Sequence, residues 1–144
     1  MKLFILILAF QLGQVSWSGN FNTAREEAAR SHKLMIVNFS GSDWCGPCIR
    51  LRKEILESPI FTDFATQHLI LVRSDFPRQK KNQLSEEQVK RNEALADQYN
   101  AEGKFPYTLL VDEHGKVLKA WDGYPDATPE QFVNQIKAIV DGHH

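Results

Sequence analysis

Cysteine is scarce in this chain: Cys45 and Cys48, three positions apart, are the only two in 144 residues. That scarcity excludes a disulfide-stapled miniprotein, which carries several bridges at longer spacings. A bridge closing so short a loop removes little unfolded-chain entropy, so reactivity accounts for the pair better than a structural purpose. Charge of one sign is also lacking. The net charge is -1, with acids and bases interspersed, so nucleic acid is not an expected partner. The five His are scattered without ligand spacing to the cysteines. A zinc site would need further ligands, and no metal is expected.

The opening residues hold no apolar run of the roughly 20 residues that a comfortable membrane span needs. Met1-Lys2 is followed by the apolar run Leu3 to Phe10 and then by Ser16-Trp17-Ser18, a small-x-small cleavage form. This is the layout of a secretory signal peptide over 1–18, with an uncleaved anchor or a buried helix as the alternative. No Cys follows the apolar run, so no lipid-modified N-terminus is expected. The remainder, 19–144, suits one domain and a monomer. Its composition is ordinary, 42% hydrophobic and 24% charged over the chain, and nine Phe supply bulk for a core. It has no repeats, low-complexity tracts or linkers.

Periodicity then orders the elements. A helix is expected from Thr23, as cap to Glu26, to about His32, and a buried strand over Lys33 to Phe39. After the loop Ser40 to Asp43, a helix runs from Cys45 to about Glu57, ended by Ser58-Pro59. A short helical piece near Ile60 to Gln67 precedes a second buried strand, His68 to Ser74. The stretch Asp75 to Leu84, with Arg78, Lys80 and Lys81, reads as a solvated loop. Ser85 caps a helix to Tyr99, which Gly103 stops. Tyr107 to Val111 and Lys116 to Trp121 form a hairpin, and Thr128-Pro129 opens a final helix. The order implies an α/β fold with parallel strands first and an antiparallel edge.

The chemistry centres on Trp44-Cys45-Gly46-Pro47-Cys48. Disulfide exchange needs a thiolate, and Cys45 stands where a loop becomes a helix, whose free N–H groups and dipole favour negative sulfur. Pro47 fits a first helical turn, Gly46 is read as easing a tight turn, and Trp44 as covering the site. Arg50 and Lys53 add positive charge nearby, with simple solvation of both as the alternative. Cys45 would attack a partner's disulfide and Cys48 would resolve the mixed disulfide.

At these residues the chain resembles the thioredoxin superfamily, and within it exported bacterial thioredoxin-like proteins. The resemblance covers nearly all of 33–140 and includes Phe105-Pro106 before the strand Tyr107 to Val111. It implies a central mixed sheet of about four to five strands flanked by helices, with an elongated segment between the second strand and a cis-proline. By the same resemblance Pro106 is that cis-proline, lying against the cysteines, and the Phe105 backbone contacts substrate. The Gly-Pro pair implies reducing activity. Two departures stand out. Asn38 occupies the place of a buried Asp that assists proton transfer at the resolving cysteine, and Asn exchanges no proton near neutral pH. Asp43 and Glu54 are the nearby candidate replacements, although each reads first as an exposed charge. The segment Phe76 to Glu102 is also longer than in a minimal thioredoxin.

The expected function is therefore protein-disulfide reduction, with no cofactor beyond the Cys45–Cys48 disulfide. Oxidase or isomerase activity and a non-catalytic polypeptide-binding module are the alternatives. The expected partners are protein disulfides or dithiols and a membrane-bound electron donor or acceptor. Periplasm is the first expected location, with a secretory lumen or the extracellular space as alternative.

Overall fold

The computed structural model describes residues 15–143, so the expected signal peptide lies outside the described residues up to position 14. Five strands form one sheet in the order β1-β3-β2-β4-β5. Leu34–Ser40 (β2) is buried at every position and stands at the centre, parallel to Leu69–Asp75 (β3) and antiparallel to Tyr107–Val111 (β4). Val117–Asp122 (β5) pairs with β4 as the expected hairpin, turned by Asp112, whose carboxylate accepts from the His114 and Lys116 amides at 2.9 Å each. The outer strand Trp17–Ser18 (β1) runs parallel to β3 and was not expected, because two residues carry no readable period. Removing 1–18 as a signal would take β1 with it.

Helices cover both faces. Phe21–Ser31 (α1) and Glu86–Tyr99 (α4) pack Ala24, Ala28 and Leu95 against Met35, Val37 and Leu109. Gly46–Leu51 (α2), Pro59–His68 (α3) and Pro129–Gly142 (α5) pack Leu51, Phe61 and Phe132 against Ile36, Leu71 and Leu110 on the other face. Alternation along each strand sends successive side chains to the two cores. Among the described residues no helix is long and apolar enough to cross a membrane.

Local chemistry explains where the boundaries moved. Helix α1 starts at Asn20, whose side chain accepts from the Thr23 amide at 3.2 Å, so Thr23 lies inside the helix instead of capping it. Helix α4 ends at Asn100, before Gly103, because the Asn100 side chain clamps the backbone of Lys104 through two bonds of 2.9 Å. Ser85 and Thr128 cap α4 and α5 as expected. Ser58 begins α3, and α2 widens into a π-helical turn over Arg52–Leu56 before it.

Candidate active site

Cys45 is the N-cap of α2. Its sulfur receives the Cys48 backbone N–H at 3.3 Å, and the two residues are disulfide-bonded with Cα atoms 5.2 Å apart. Both are buried, Cys45 at 6% exposure and Cys48 at 3%, while Gly46 and Pro47 between them face solvent. Pro47 lies in the first helical turn, where its missing N–H costs nothing. Gly46 departs from expectation. Its φ is not positive and a Cβ there would meet nothing, so the turn does not demand glycine. The steric demand falls on Gly41, where a Cβ would sit 2.3 Å from the Trp44 ring.

Trp44 covers one flank. Its ring meets Phe105 edge-on at 5.5 Å, and Phe76 meets Phe105 in the same manner at 5.4 Å. The Phe105–Pro106 peptide is cis, and Pro106 is buried with its carbonyl accepting from the Gly123 amide at 2.9 Å. The loop Phe76 to Leu84 folds back onto this flank. Arg78 lies 3.7 Å from the Trp44 ring centroid, while Lys80 and Lys81 are exposed as expected.

The acids considered as substitutes for a buried Asp stand elsewhere. Asp43 turns to the 78–82 segment, accepting from the Arg78 and Gln79 amides at 2.9 and 2.8 Å. The Arg78 amide is the first cause of its lowered pKa, ahead of a smaller opposing effect of burial. Glu54 bonds the Tyr124 hydroxyl and pairs with Arg50 at 3.3 Å on the surface, and both contacts hold its pKa down, Tyr124 first. Arg50 is 62% exposed and spends its charge on Glu54 and on the Tyr124 face, 4.4 Å away. Lys53 is exposed too. Asn38 is 3% exposed and donates to the Thr108 hydroxyl at 3.0 Å.

Residues not singled out in the sequence share a cleft with Cys48. Arg52, Arg73, Asp75 and Ser42 line a cleft of about 190 Å³ with Cys48 and Asn38. Burial pushes the Arg73 guanidinium below its ordinary pKa, and nearby Arg52 acts in the same sense. Spacing could have flagged Arg52, which stands four residues after Cys48 on one helix face. Arg73 and Asp75 become neighbours of the site through strand register alone. Among the described residues no group of three His, Cys, Asp or Glu is placed to hold a metal.

The model of the thioredoxin-like domain family matches residues 21–139. The chain is 37% identical over 121 residues to the disulfide bond reductase DsbH of Chlamydia pneumoniae, covering 84% of this chain and 70% of that protein. It is 32% identical over 127 residues to the thioredoxin-related protein DsbJ of the same organism, covering 88% of this chain and 36% of that longer protein. The solved structure of a DsbH oxidoreductase superposes with a TM-score of 0.80 at 30% identity, covering 98% of this chain and 94% of its own. Thiol–disulfide exchange is the chemistry that these relatives and the paired cysteines support together. With the family model spanning most of its length and the fold in agreement, the chain belongs to the thioredoxin-like domain family.

Proposed function

We propose that the chain is an exported protein-disulfide reductase. The observation that carries this reading is the Cys45–Cys48 pair at the start of α2, with the cis Phe105–Pro106 segment as a candidate wall for the substrate chain. Direction is supported by the Gly-Pro pair and by similarity to a protein named as a disulfide bond reductase. In the reduced protein Cys45, as the helix cap, attacks one sulfur of a substrate disulfide. A mixed disulfide forms and the other substrate sulfur leaves as a thiolate. Cys48 then attacks Cys45, the intramolecular disulfide re-forms, and the second substrate sulfur leaves. Two electrons pass to the substrate, and a dithiol donor must restore the pair.

Export rests on the leader-like 1–18 segment, and periplasm is the compartment that we propose. An oxidising compartment does not keep a dithiol reduced, which calls for a membrane-bound electron donor. Insulin reduction by wild-type, Cys45→Ser and Cys48→Ser proteins tests the catalytic reading. Both substitutions are expected to abolish turnover, and Cys48→Ser to accumulate mixed disulfide; rates equal to wild type would leave a polypeptide-binding module instead. A glutathione titration tests direction, and a potential near that of strong oxidants would overturn the reductase assignment.

A further inference from the structure

The sheet face beneath α2 changes character along its length. Leu34 and Ile36 on β2, and Leu69 and Leu71 on β3, are apolar and buried. Two residues further along the same face stand Asn38 and Arg73, paired in register, and then Ser40 and Asp75. This polar end of the face, with Arg52 of the π-helical turn that follows α2, walls the cleft that reaches Cys48.

The charges in that cleft do not cancel. Asp75 is committed to the neighbouring loop, accepting from the Ser42 amide at 3.0 Å, the Ser42 hydroxyl at 2.5 Å and the Phe76 amide at 2.9 Å. Arg73 lies with its guanidinium 4.3 Å from the Trp17 ring centroid. Arg52 has a buried Nε with no hydrogen-bond partner among the described residues, and its ion-pair partner Glu57 lies 3.7 Å away on the outer side. The Cys48 sulfur receives one weak donor, the Gly41 amide at 3.5 Å. From β2 and β4 come the neutral pair Asn38 and Thr108, and Asp43 from the preceding loop is turned to the 78–82 segment. Within the cleft itself two guanidiniums stand beside one carboxylate whose oxygens are already engaged, while Glu57 answers Arg52 from outside the cleft lining.

We infer that Arg52, backed by Arg73, supplies the positive charge that favours the Cys48 thiolate once Cys45 is engaged in the mixed disulfide. This rests on the exchange reading above and deepens it. Where an acid would take the thiol proton, a cationic wall lowers the cost of releasing that proton to water in the cleft. Cys48 then forms its bond to Cys45, the Cys45–substrate bond breaks, and the departing substrate thiolate takes a proton from water. Both guanidiniums keep their protons throughout, so they are charge-positioning groups and not acid or base.

The test is direct titration of the Cys48 thiol in a Cys45→Ser background, read by thiolate ultraviolet absorbance, which needs neither substrate nor reagent access. An opposite charge close by typically moves a titration by one unit or more, so Arg52→Gln is expected to shift the midpoint upward and cut the thiolate fraction below the midpoint by about tenfold. Arg52→Lys keeps most of the wild-type midpoint. The surface variant Glu57→Gln, which frees Arg52 of its counter-charge without opening the core, shifts the midpoint the opposite way, downward and by less. An unmoved midpoint in Arg52→Gln overturns the inference. So does an equal shift in Arg52→Lys, which assigns the effect to packing, or an upward shift in Glu57→Gln. Loss of insulin reduction with the titration as expected would instead count against the proposed function alone.

Discussion

The indole N–H of Trp44 donates to the Phe76 carbonyl at 2.7 Å, which ties the segment after β3 to the flank of the cysteine pair. Trp44→Phe keeps an aromatic ring against Phe105 but deletes the donor and leaves that carbonyl without it. Stability to urea is expected to fall by about 1 kcal/mol, the usual net value of one hydrogen bond. KM for insulin should rise more than kcat falls, because the lost contact shapes the flank and not the sulfur chemistry. An unchanged urea midpoint would refute this role.

Asp43 holds the same segment from beneath, through the Arg78 and Gln79 amides and the Asn82 side chain. Its pKa is lowered in the folded protein, first by the Arg78 amide. A depressed acid contributes its stabilisation above the unfolded value of 3.8 and loses it as pH falls through the folded value. The segment is therefore expected to stay anchored at neutral pH and to loosen only below 3.8. Amide exchange checks this: Arg78 and Gln79 should exchange faster in Asp43→Ala than in wild type at neutral pH, and equal rates would count against the anchor.

Trp17 stacks on Phe61 with ring centroids 6.5 Å apart and carries the Arg73 guanidinium on its face. Trp17→Ala is expected to cost about 2 kcal/mol, a discounted value for a half-buried aromatic. A chain beginning at Gly19 should lose at least as much, since β1 goes with it. Urea denaturation of the two variants against a chain beginning at Val15 measures both, and equal stability of all three would show β1 to be dispensable.

Asn38→Asp places a carboxyl at a position 3% exposed, beside Thr108 and next to Arg73 in register. Burial raises an introduced acid and Arg73 opposes that rise, with burial expected to win. A raised acid contributes stability below its unfolded value and loses it as pH climbs through the folded value. The variant should therefore weaken relative to wild type between mildly acidic and neutral pH, and its insulin-reduction profile should gain an inflection there. Parallel profiles for the two proteins would refute the assignment.

Much of the architecture was legible because long elements carry their own period. The strands β2, β3 and β4, the hairpin, and the caps Ser85 and Thr128 all fall where short apolar runs, turn residues and capping residues put them. Strand β1 was not legible, since Trp17–Ser18 is two residues inside a leader-like stretch and exists through pairing with Leu71 and Val72. The widened turn at Arg52–Leu56 was equally silent, because a π turn leaves no composition mark.

For the site, Trp44 to Cys48 and Phe105-Pro106 are local in sequence, so the motif alone located the cysteine pair and the resemblance alone pointed to Pro106 as its neighbour. Which charges surround Cys48 was decided by the tertiary structure alone. Arg50, two residues after Cys48 in sequence, is drawn away by Glu54 and Tyr124, while Arg52, Arg73 and Asp75 arrive from a helix face and a neighbouring strand. Side-chain direction and strand register set that difference, and both become fixed only when the sheet assembles beneath the helix.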